Sequence, residues 1–84
     1  MTAAPTVEAA VREIIAAVSR QDVSSIGPDE NLVEALAVDS LQGLQILAAV
    51  EKRFTIRLPD EELIRMRTIA SIVDVVSRQQ AGVP

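Results

Sequence analysis

Eighty-four residues leave room for one small domain, and twelve acidic against eight basic side chains give it a net charge of −4. That sign disfavours the phosphate backbone of nucleic acid as a partner, and a chain without cysteine or histidine has no disulfide, no imidazole base and no His/Cys metal site. Nearly half of the residues are apolar but Phe54 alone is aromatic, so Ala, Val, Ile and Leu must build an aliphatic core that is marginal at this size.

No apolar run is long enough to span a bilayer, and "MTAAPTVEAA" lacks the basic start and apolar stretch of a secretory signal. A soluble, cytoplasmic protein is expected. Residues 1–5 and 80–84 read as frayed ends around a domain over 6–79. Val7, Val11, Ile14 and Val18 recur at helical spacing and predict a first helix from about Thr6 to Arg20. Thr6 can cap it, Glu8 suits the positive end of its dipole and Arg20 the negative end. Residues 21–38 read as a long connection, punctuated by Gly27-Pro28 and tacked to the core by Ile26, Leu32 and Leu36. A second helix is predicted from about Ser40 to Arg53, with Asp39 as N-cap and Lys52 and Arg53 at the far end. A short helix should follow "LPDEEL", with Pro59 at its entry and Asp60, Glu61 and Glu62 in its first turn. The last helix should start near Thr68 and carry Ile69, Ile72, Val73 and Val76 on one stripe. No segment alternates like a strand. The fold class is therefore all-α, a small bundle of three main helices plus one short helix.

The second helix carries more apolar surface than a core stripe requires. At about 100° per residue, Gly43, Ile46, Leu47, Val50 and Phe54 cluster on one side. Leu41, Leu44 and Ala48 occupy the adjacent sector, next to Ser40. They either widen the core face or form an exposed patch that a partner covers.

Ser40 has nothing to activate it as a nucleophile. The only lysine, Lys52, lies about three helical turns away. Asp39 is its sequence neighbour and points elsewhere on a helix, and no Gly-x-Ser-x-Gly elbow is present. The remaining carboxylates suggest no metal site, because "DEE" at 60–62 reads as the acidic first turn of a helix. Two readings of Ser40 stay open. Asp39-Ser40 is simply a helix start, or the Ser40 hydroxyl is modified by another enzyme. Unpaired backbone N–H groups and the positive dipole end at that position favour a phosphate ester.

With its surroundings, Asp39-Ser40-Leu41 resembles the Asp-Ser-Leu signature of acyl carrier proteins. Leu36 stands before it as in Leu-Gly-x-Asp-Ser-Leu, and "AAVEKRF" ends the helix in the family's manner. "LPDEEL" is similar to the family's turn into its third helix, and "RTIASIVDVV" to its last helix. The likeness covers nearly the whole chain. It implies a non-catalytic carrier whose Ser40 receives 4′-phosphopantetheine from coenzyme A through a phosphopantetheinyl transferase. Acyl groups would ride as thioesters on the arm's thiol, and a chain without cysteine offers no competing thiol. The resemblance further implies that Asp39 and Leu41 flank the arm and that Leu41, Leu44, Ala48 and Glu51 form a docking face. That face would meet acyl-loading, condensing or transferase enzymes. Ile46, Val50, Ile69 and Ile72 would line the cavity that shelters the acyl chain, in a carrier expected to be monomeric.

Four positions depart from the pattern of fatty-acid carriers. Ala35 stands where aspartate is common, Ala37 replaces the glycine before the motif, and Gln42 and Gln45 stand where acids often sit. Partners of fatty-acid carriers usually present Lys and Arg patches, so fewer acids weaken such contacts. A carrier dedicated to a particular fatty-acid, polyketide or specialised lipid pathway is expected. An aminoacyl or peptidyl carrier is the nearest alternative, although "LAVDSL" does not match the Gly-Gly-x-Ser of many such domains. A helical adaptor without an arm, using the Leu41/Leu44/Ala48 patch, is the alternative from another class.

Overall fold

The computed structural model describes residues 6–59, 61–62 and 66–81. Among them the chain forms four helices: α1 (Val7–Ser19), α2 (Leu32–Leu36), α3 (Ser40–Phe54) and α4 (Ile69–Ala81). The three long ones agree with the sequence to within a residue or two at their ends.

Local capping explains where each begins. Thr6 Oγ1 accepts the Ala9 N–H at 3.0 Å and opens α1. At α4, the Ser71 N–H donates to Thr68 Oγ1 at 3.0 Å while the Thr68 N–H donates to Ser71 Oγ at 3.1 Å. This reciprocal pair satisfies two donors at the helix start, with serine in the place of the usual Glu or Gln. Arg20 ends α1 as a left-handed cap whose N–H reaches Ala16 O, and Thr55 ends α3 in the same way through Glu51 O.

One helix was not expected from the sequence. It lies at Leu32–Leu36, inside the segment predicted as an unbroken connection. Asn31 Oδ1 accepts the Val33 and Glu34 N–H groups, and Leu32 and Leu36 turn one face inward. Of the short helix expected after "LPDEEL", the structure describes one turn, in which the Glu62 N–H bonds Pro59 O at 2.9 Å. Asp60 and residues 63–65 lie outside the described residues.

α1 packs against both α3 and α4. Val11, Ile15, Val50, Ile69, Ile72 and Val76 are fully buried where they meet. The connection closes one end of this core with Val23, Ile26, Leu32, Leu36 and Val38, all buried. Its polar backbone is held from several directions. The Arg12 guanidinium donates to Val23 O at 2.7 Å and Ile26 O at 2.8 Å. Gln21 Nε2 donates to Leu36 O at 2.8 Å. The Leu32 N–H bonds Arg67 O, and the Ala70 N–H bonds Pro28 O. At the first turn of the connection, the Ser24 N–H bonds Asp22 Oδ1 at 2.8 Å, and this bond holds the Asp22 carboxyl below its ordinary range. The segment before Ser40 is thus stitched to α1 and to the start of α4.

α2 ends at Ala37, which adopts a left-handed conformation with φ 55°. A side chain there costs about 1–2 kcal/mol, partly offset by the greater unfolded-state freedom of glycine, about 0.5–1 kcal/mol. Ala37→Gly is therefore expected to stabilise the fold by roughly 0.5–1 kcal/mol in urea unfolding, whereas Ala37→Val should destabilise it.

Candidate functional site

Asp39 fixes the start of α3. Its backbone is extended, Oδ1 accepts the Gln42 N–H at 2.8 Å, and its carbonyl accepts the Gly43 N–H at 2.9 Å. Ser40 is consequently the first helical residue, and it is exposed. No acid follows it in the first turn of α3. The N–H groups of Ser40 and Leu41 precede any intrahelical acceptor, so the helix end beside the hydroxyl favours an anion.

A groove of about 680 Å³ opens at Ser40. Buried Leu32, Val38, Ile46 and Met66 form its apolar floor. Exposed Val33, Glu34, Asp39 and Arg67 stand along its edges with Ser40. The short α2 is what supplies one wall, which is why sequence periodicity missed Val33 as a site residue. Among the described residues, Val33, Leu41 and Leu44 are the exposed large apolar side chains, with 53%, 63% and 45% of their surface open. Leu41 and Leu44 therefore do not widen the core face, and Ala48 is exposed on the same side.

The other sequence-predicted positions separate. Ile46 lines the groove, but Val50, Ile69 and Ile72 are sealed in the core and do not border it. Glu51 is half-buried, and its Oε2 accepts the Leu58 N–H at 2.6 Å, tying the segment after α3 back onto the helix. Ala48 and Glu51 border a second groove with Lys52, Arg57 and Leu58. Among the described residues no group of carboxylates is placed to hold a metal ion, and no helix is long and apolar enough to cross a membrane.

The family model described as the phosphopantetheine attachment site matches residues 9–76. The chain belongs to the acyl carrier protein family. Similar carriers include the acyl carrier protein of Streptomyces coelicolor, 41% identical over 63 residues, 74% of this chain and 68% of that protein. The acyl carrier protein of Acidothermus cellulolyticus is 32% identical over 65 residues, 77% of either chain. The meromycolate extension acyl carrier protein of Mycobacterium leprae is 30% identical over 76 residues, 90% of this chain and 66% of its own length. As a member of this family, the chain is a non-catalytic carrier with covalently attached 4′-phosphopantetheine. It meets a phosphopantetheinyl transferase and the enzymes of its pathway. The reading of its apolar face as that of an adaptor without an arm is set aside.

Proposed function

We propose that Ser40 bears the phosphopantetheine and that the protein ferries acyl intermediates for a dedicated fatty-acid, polyketide or specialised lipid pathway, as a cytoplasmic monomer. The observation that carries this reading is an exposed hydroxyl on the first residue of α3, at the mouth of an apolar-floored groove. When bound, the group supplies a terminal thiol that holds acyl chains as thioesters. The residues present fit it. The unpaired N–H groups of the α3 start favour its phosphodiester. Asp39 holds that helix end in place, and Leu32, Val38, Ile46 and Met66 offer apolar contact. Leu41, Leu44 and Ala48 are the exposed face against which pathway enzymes would seat, with an effective-concentration gain at each enzyme from the tethered cargo.

Acyl rather than aminoacyl cargo is supported by the names of the relatives, and a specialised lipid pathway by the mycobacterial one among them. Gln42 and Gln45 support a dedicated pathway, because neutral side chains there forgo two charge contacts with a basic partner. Two exposed pairs amount to about 1.4 kcal/mol, or roughly tenfold. The loaded protein is therefore expected to be malonylated by the malonyl transferase of a fatty-acid synthase with a kcat/KM about tenfold below that of an acid-rich fatty-acid carrier. Equal efficiency would instead make it a carrier for general fatty-acid synthesis.

A further inference from the structure

The exposed side of α3 changes character along its length. Leu41, Leu44, Gln45, Ala48 and Lys52 fall within about 100° of the helix circumference, and every one is exposed. Two carboxylates of this region already serve as acceptors for backbone N–H groups. Asp39 Oδ1 caps the Gln42 N–H, and Glu51 Oε2 holds the Leu58 N–H. The basic side chains divide differently. Arg53 is paired with Glu13 at 3.3 Å. Lys52 and Arg57, which border the second groove beside Ala48, have no ion-pair partner among the described residues. The face is thus apolar at the Ser40 end, neutral at Gln45, and cationic at the far end.

We infer that the enzymes docking on this face carry an acidic patch opposite Lys52 and Arg57, together with an apolar seat for Leu41 and Leu44. The inference rests on the carrier reading above and adds the sign of the partner's charge. Charge complementarity governs encounter rate and partner choice. A basic partner patch would meet here two cations that no described residue pairs, and two carboxylates that already serve as acceptors. A membrane or nucleic-acid surface is disfavoured, because two cations on a chain of net charge −4 give no extended basic footprint.

The test uses the holo protein, its arm built from a coenzyme A analogue that ends in a thiol-reactive acrylamide-type group. Intact mass first confirms loading. The loaded carrier is then mixed with a β-ketoacyl synthase whose carrier-docking patch is Lys/Arg-rich, and with a variant of that synthase in which the patch residues are Glu. Equal activity of the two synthases on a free pantetheine substrate controls for their folding. The carrier is expected to cross-link to the acidic variant at least about fivefold faster at low salt, with the preference fading as salt screens the pairs. Lys52→Glu/Arg57→Glu should reverse the preference, and Lys52→Gln/Arg57→Gln should flatten it. Faster cross-linking of the parent carrier to the basic synthase, or no response to these substitutions, would overturn the inference while leaving the carrier reading intact. A folded parent that gains no arm in the first step would remove the carrier reading and this inference with it.

Discussion

Ser40→Ala is expected to lose all phosphopantetheine loading while unfolding within about 3 °C of the parent. The two halves of this result have separate physical grounds. Ser40 is exposed and occupies the first turn of α3, whereas the capping bond comes from Asp39, at 2.8 Å from the Gln42 N–H. An exposed Ser→Ala change that leaves the cap untouched should stay within about 0.5 kcal/mol. The other serines near helix ends are otherwise placed. Ser71 Oγ is bound up with Thr68, and Ser19 is buried with its hydroxyl donating to Ile15 O at 2.7 Å. Intact mass and thermal unfolding of the same sample check both halves. Loading that persists on the folded variant would move the arm to another hydroxyl.

Arg12→Ala carries the largest expected loss of stability, about 2–3 kcal/mol in urea unfolding. The Arg12 guanidinium is the main tie between α1 and the connection, donating to Val23 O and Ile26 O at 2.7 and 2.8 Å. Hydrogen bonds from a charged donor contribute about 1.5–3 kcal/mol, and their loss leaves partly buried carbonyls without a partner. The Glu8–Arg12 pair at 3.0 Å is more exposed on its Glu8 side and adds little, so Glu8→Ala should cost at most about 0.5 kcal/mol. For a chain of this length, the Arg12 loss is a large part of the total stability, which is of order 0.05–0.15 kcal/mol per residue. Amide exchange in residues 21–38 should quicken most, because that segment loses its anchor. An Arg12→Ala protein no less stable than Glu8→Ala would contradict this account of the connection.

The main helices were legible because their determinants are local. Val7, Val11 and Ile14 repeat over several turns, and Thr6 and Asp39 bond to N–H groups three residues away. α2 was not legible, since a five-residue helix shows one i,i+4 apolar pair, Leu32 and Leu36, and no period. Arg12 was invisible for a different reason. Its acceptors lie 11 and 14 residues further on and are brought to it by tertiary packing. The two readings of Leu41 and Leu44 could be separated only by knowing which sector of α3 the other helices cover. Burial of Val50, Ile69 and Ile72 followed from spacing, but spacing says nothing of which buried residues border a groove. The groove is built from α2, the start of α3, Met66 and Arg67, and of the four predicted lining residues it includes Ile46 alone. The Ala37 departure stood out in the sequence as a missing glycine, and the left-handed backbone there supplies its physical meaning.

The measurement that tests the central claim most directly is site mapping on the parent protein. The apo protein is incubated with coenzyme A and a promiscuous phosphopantetheinyl transferase, digested, and fragmented in the mass spectrometer. The expected result is one phosphopantetheine per chain, located on Ser40. An arm found on any other residue, or none on a folded protein, would contradict it.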